Sequence, residues 1–181
     1  MQRRRAGLVA AVAFGALALT VPSCGGDGLF GPDGRPRGTM TASGAVSASG
    51  EGLAYFQSIS SGDVGMFQIS VAPATPTNDP AQSVIWHVQI VRYAQRPAPG
   101  TYAISPLSPS SSEPAATFYY TSDGTLELFS ATAGELVITS SSPTSVRGTF
   151  TFTATSATNG ARSVSVQGAF TAVCPPGAAC L

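Results

Sequence analysis

No lysine occurs anywhere in the chain, and His87 is its only histidine. The first absence removes the phosphate-binding lysine of a P-loop, a Schiff-base lysine and a serine–lysine dyad. The second leaves no imidazole pair within one chain for the usual zinc or copper sites. Charge is scarce as well: 10% of the residues are ionisable Asp, Glu, Lys or Arg, and the formal net charge is zero. Setting aside Arg3, Arg4 and Arg5 at the N-terminus leaves six arginines against nine acids, so no basic patch for nucleic acid is expected. Cysteine is limited to Cys24, Cys174 and Cys180, an odd number that leaves one without an intrachain disulfide partner.

At 181 residues the chain has room for one domain with a real core. Its first 24 residues, "MQRRRAGLVAAVAFGALALTVPSC", place three arginines before an apolar stretch from Ala6 to about Thr20 and then small residues before a cysteine. That is the layout of a secretory signal, too short for a retained transmembrane helix. Val21, Ser23 and Cys24 resemble the lipobox of bacterial lipoproteins, with an aliphatic residue three before the cysteine and a small one immediately before it. The resemblance implies cleavage after Ser23 (signal peptide 1–23), a thioether-linked diacylglycerol on Cys24 and acylation of the new amino group. Two or three acyl chains suffice for stable anchoring. Gly25 rather than Asp follows the cysteine, so the retention signal of the inner membrane is missing and the outer membrane is the expected location. From Gly25 to Gly38 the chain reads "GGDGLFGPDGRPRG", too poor in apolar residues to order itself. Residues 24–38 are therefore read as lipidated cysteine and tether, and 39–181 as the globular domain.

Within that domain the periodicity is two. In "SVIWHVQIVRY", Val84, Trp86, Val88 and Ile90 alternate with Ile85, His87, Gln89 and Val91, as in a strand with one apolar face. Phe150, Phe152 and Ala154 alternate with Thr149, Thr151 and Thr153, and Val164, Val166 and Phe170 with Ser165, Gln167 and Ala169. Hydroxyls on the outer face suit a solvated antiparallel sheet. Gly, Pro and Ser clusters separate ten predicted strands, near 39–48, 52–59, 64–72, 83–93, 101–105, 116–121, 126–130, 135–140, 145–156 and 162–173. Asn159-Gly160 is expected to supply the positive φ of a hairpin between the last two. The fold class is all-β, an antiparallel sandwich or flattened barrel.

Cys174 and Cys180 bracket "PPGAA", and in an exported chain they are expected to form a disulfide clip on the C-terminal end. The segments Gly100–Tyr102, Glu135–Thr139, Val146–Ala154 and Val164–Phe170 resemble the strands of a group of uncharacterised β-rich bacterial lipoprotein domains. That resemblance covers about half of the domain. It implies fold and surface location and carries no activity.

Catalytic candidates are few. His87, beside Gln89, reads as a sheet-face histidine more than as a general base. Glu127 and Glu135 are the two carboxylates that a glycoside hydrolase would need, but Glu127 lies between Leu126 and Leu128, and alternation turns it toward solvent. No serine stands in G-x-S-x-G, and Asp63, Asp79 and Asp123 sit in separate turns without calcium-loop spacing. The consecutive rings Phe118, Tyr119 and Tyr120 must send at least one outward, which makes them candidate ligand contacts. The expectation is a non-enzymatic binding domain without metal or cofactor, held to the membrane through Cys24, with a glycan or an envelope protein as partner. A lipid-anchored hydrolase of glycans or esters and a small-ligand carrier are the alternatives.

Overall fold

The computed structural model describes residues 36–61, 64–73, 85–107, 112–178 and 180. The expected signal peptide (1–23), Cys24 and the expected tether as far as residue 35 lie outside the described residues, while Arg37 and Gly38, read as the end of that tether, begin β1. The described residues form nine strands: β1 (Arg37–Gly44), β2 (Ala48–Ser61), β3 (Val64–Ala72), β4 (Ile85–Arg92), β5 (Gly100–Ile104), β6 (Ala115–Ser122), β7 (Thr125–Ser141), β8 (Ser145–Ser156) and β9 (Ser163–Val173). They form one sheet in the order β5-β7-β6-β4-β3-β2-β1-β9-β8, and a β7–β8 pairing closes it. The result is an eight-stranded antiparallel barrel with β5 as an extra strand.

At eight strands a barrel is just wide enough for side chains to fill, and alternation supplies them. Phe56 and Ala54 of β2, Phe67, Ile69 and Val71 of β3, Trp86, Val88 and Ile90 of β4, and Phe118 of β6 all point inward and are buried. Opposite them stand Phe129, Leu136 and Ile138 of β7, Phe150 and Phe152 of β8, and Val166 and Phe170 of β9. Each buried side chain of this size contributes roughly 1.5–3 kcal/mol. Phe118 packs its ring 6.0 Å from that of Phe129, and Phe150 lies 6.4 Å from Phe170.

The two predicted strands 126–130 and 135–140 are one strand, β7. Its register on β8 shifts between Ala131 and Ala133 and again between Ile138 and Ser140. Thr132 is the extra residue of the first bulge, and an extra residue reverses which parity faces inward. Phe129 and Ala131 face the core before it, Leu136 and Ile138 after it. Gly134 fills a close approach: a Cβ there would strike the Thr151 carbonyl oxygen. The far edge of β7 is shared end to end, with β6 pairing along Thr125–Ser130 and β5 along Gly134–Ile138. Arg92 ties the neighbouring connections together. Its Nε donates to Ser112 O at 2.7 Å, one terminal nitrogen donates to Gln95 O at 2.8 Å, and its guanidinium lies 5.3 Å from the Tyr102 ring centre.

The expected positive φ at Asn159-Gly160 does not occur; it falls on Asp123 (50°) and Gly124 (72°), the two-residue turn joining β6 to β7. The β8–β9 connection is wider. Asn159 Oδ1 accepts from Ala161 N at 3.1 Å and Ser156 N donates to Arg162 O at 2.9 Å, so the asparagine turns the chain with its side chain rather than through a left-handed backbone.

Candidate binding groove

Two short motifs on neighbouring strands shape the site. Val146-Arg147-Gly148-Thr149-Phe150 on β8 and Val166-Gln167-Gly168-Ala169-Phe170 on β9 run antiparallel, with Gly148 opposite Phe170 and Phe150 opposite Gly168. Each ring thus lies over a glycine across the ladder. A Cβ on Gly168 would meet the Thr39 carbonyl oxygen and the Phe150 ring, and one on Gly148 would meet the Val137 carbonyl oxygen and the Phe170 ring. With no side chain at Gly148 or Gly168, the ring from the neighbouring strand lies across each, and the outer surface over Gly168 is concave.

The concavity is a groove of about 380 Å³, with Met40, Phe150 and Gly168 in its floor. Register sets its walls as two parallel rows across four strands. Glu135, Thr151, Gln167 and Thr41 form one row, and Val137, Thr149, Ala169 and Thr39 the other. Four strands span about 14 Å from first to last at the usual spacing. The first row offers two hydroxyls, a carboxamide and one carboxylate; the second offers methyl groups from Val137, Ala169 and the threonines. Thr39 Oγ1 also accepts from Ala169 N at 3.4 Å. Glu135 is the single ionisable side chain in the lining. The outward placement of Thr149, Thr151 and Gln167 agrees with their alternation; their convergence with β1 and β7 depends on barrel closure, which no local pattern encodes.

The aromatic candidates are dispersed. Phe118 is fully buried in the core and is unavailable to a ligand. Tyr120 is half-buried on the same inner face. Tyr119 points outward, stacked 5.3 Å from His87, and its hydroxyl donates to Gln89 Oε1 at 3.1 Å. His87 is thus part of an outer-face cluster, and partial burial pushes its pKa below the usual histidine value. Leu128 shares its cross-strand row, and Ile85, Thr121 and Leu126 form the next.

Glu127 departs from its expected orientation. Leu126 is the outward residue, 64% exposed, and Glu127 shares the inner face with Phe129, paired to Tyr120. It is tolerated because it sits at the barrel mouth, where Arg162 closes a 3.0 Å ion pair over it. The bulge at Thr132 then sends Glu135 to the outer face, so the two glutamates lie on opposite sides of the wall and form no carboxylate pair. Asp123 occupies a turn, while Asp63 and Asp79 lie outside the described residues. Among the described residues no three His, Cys, Asp or Glu side chains gather as metal ligands. Cys174 and Cys180 are joined as a disulfide.

Comparison of the chain with protein families, with characterised proteins and with solved structures finds no match.

Proposed function

We propose that the protein is a non-enzymatic binding module, lipid-anchored through Cys24 at the bacterial cell envelope, and that the groove across β7, β8, β9 and β1 is its ligand site. The observation that carries the binding reading is one concave surface in which hydroxyls from four threonines, a carboxamide and a carboxylate lie beside the aliphatic groups of Val137 and Ala169. A pyranose ring has the same division, hydroxyls around its edge and C–H groups on its face. Thr41, Thr151, Gln167 and Glu135 would meet the hydroxyls, and Val137, Ala169 and the threonine methyls the ring face. With a single carboxylate and no cation in the lining, the groove favours a neutral glycan over an acidic one.

The test is titration of the protein with neutral hexasaccharides of glucose and of N-acetylglucosamine, followed by nuclear magnetic resonance. Binding should shift signals of Thr41, Thr151 and Gln167. The double substitution Thr151→Val and Gln167→Ala should weaken it about tenfold, as expected for two lost hydrogen bonds. Binding that ignores both substitutions, or no binding by any of these sugars, counts against the groove. The anchor is tested separately by the intact mass of the detergent-extracted protein. The expected mass is that of a chain starting at Cys24 with its acyl chains, and a bare Cys24 thiol would reject the anchor.

A further inference from the structure

The β2 strand outruns its neighbour. β1 pairs with it only as far as Gly52, whereas β3 accompanies it from Leu53 to Ser61. Among the described residues, the side of β2 that β1 leaves bare meets Val173 opposite Tyr55 and Cys180 opposite Ser58, both in parallel pairing. The tail that does this is folded back by a turn in which Ala178 N donates to Pro175 O at 3.1 Å, with Gly177 at φ 81°. The Cys174–Cys180 disulfide locks that turn. Arg96 donates to Cys180 O at 3.3 Å, and Cys180 Sγ rests 3.4 Å from Phe56 O.

An uncovered strand edge invites another strand, and folded proteins blunt such edges with lysine, proline, bulges or inward charges. Leu53-Ala54-Tyr55-Phe56-Gln57-Ser58-Ile59 contains no charge, no proline and no glycine, and its pairing with β3 runs without a register shift. Its composition is that of a segment prone to strand addition. We infer that the disulfide-locked tail is the guard of this edge, and that its reduction allows two copies of the chain to pair through β2.

The partner is a second copy because the bare segment is identical in both and carries no charge to repel itself. Two such edges pair antiparallel about a twofold axis, each contributing the same residues. Release requires a dithiol reductant. Its thiolate attacks Sγ of Cys174, the less buried residue of the pair. The S–S bond breaks and Cys180 departs as a thiolate that takes up a proton. The reductant's second thiol then displaces Cys174 as a thiol. The protein disulfide gains two electrons and two protons, and the reductant becomes a disulfide.

Hydrogen exchange and light scattering on the exported chain, oxidised and after dithiothreitol, test the inference. In dilute reduced protein, amides of 53–59 should exchange about tenfold faster or more while β8 and β9 keep their protection. On concentration, a dimer should appear and the protection of 53–59 should return. A Cys174→Ser/Cys180→Ser protein should behave like the reduced wild type. Gln57→Lys, which puts like charges across the shared edge, should weaken the reduced dimer about tenfold. Three outcomes overturn the inference: β2 protection unchanged by reduction with the chain monomeric throughout, loss of protection across β8 and β9 as well, or a dimer that Gln57→Lys leaves intact.

Discussion

The two sides of the barrel wall meet water in opposite ways. Along β7, β8, β9 and β1 the outer surface is a groove with small hydroxyl and methyl groups; along β4, β6 and the start of β7 it carries His87, Tyr119, Leu128, Ile85 and Leu126. The inner faces differ in the reverse sense. Trp86, Val88, Ile90 and Phe118 fill the second side from within, whereas Gly148 and Gly168 leave two gaps in the first that rings from the facing strand cover. The difference teaches that the outer recess lies where an inner-face position, Gly168, carries no side chain of its own.

The largest effect should come from removing a covering ring. Phe150→Ala is expected to cost about 3–5 kcal/mol in chemical denaturation, because the ring is buried in the core and packs across Gly168. Next is the glycine itself. Gly168→Ala must displace both the Thr39 carbonyl and the Phe150 ring and is expected to cost about 1–3 kcal/mol. Gly160→Ala, with nothing within 4 Å of the added carbon, should stay within about 0.5 kcal/mol. Equal tolerance at the two glycines would break the comparison.

A smaller effect belongs to the barrel mouth, which both sides share. A double-mutant cycle of Glu127→Gln and Arg162→Gln should give a coupling of about 0.2–1 kcal/mol, since the arginine is 43% exposed and its ion pair is screened. The smallest concerns His87 on the second side. Its pKa is lowered in the folded chain by burial, so the folded state binds the proton less readily than the unfolded one. Stability should be full above the unfolded histidine pKa and should fall as pH drops through that value toward the folded pKa. Denaturation midpoints of the wild type and His87→Gln should diverge on acidification, the substitution flattening the decline; parallel curves would remove His87 as the cause.

Strand positions were legible where the alternation is unbroken. β4, β8 and β9 follow directly from Trp86-x-Val88-x-Ile90, Phe150-x-Phe152-x-Ala154 and Val164-x-Val166. β7 escapes that pattern because the bulge at Thr132 inverts the parity and splits one strand into two apparent alternating runs. The reading failed on Glu127, because Leu126 and Leu128 are hydrophobic residues on the outside. Asn159-Gly160 and Asp123-Gly124 look alike as turn signals, yet Asp123-Gly124 alone is held to a two-residue connection, which demands the left-handed backbone. Of the groove, the outward threonines were readable but their assembly was not. Thr41 and Gln167 are far apart in sequence, and only closure of the barrel makes them neighbours.

One feature of β1 bears on what happens under tension. It lies between β2 and β9, matched to β9 from Arg37 to Gly44 and to β2 from Gly38 to Ala42. A pull on Arg37 along the strand axis would shear these pairs together instead of unzipping them one after another. Thr39 and Thr41, on the wall of the groove, belong to this same strand. A ligand bound there would load β1 directly, and the pairs of β1 with β2 and β9 would share that load.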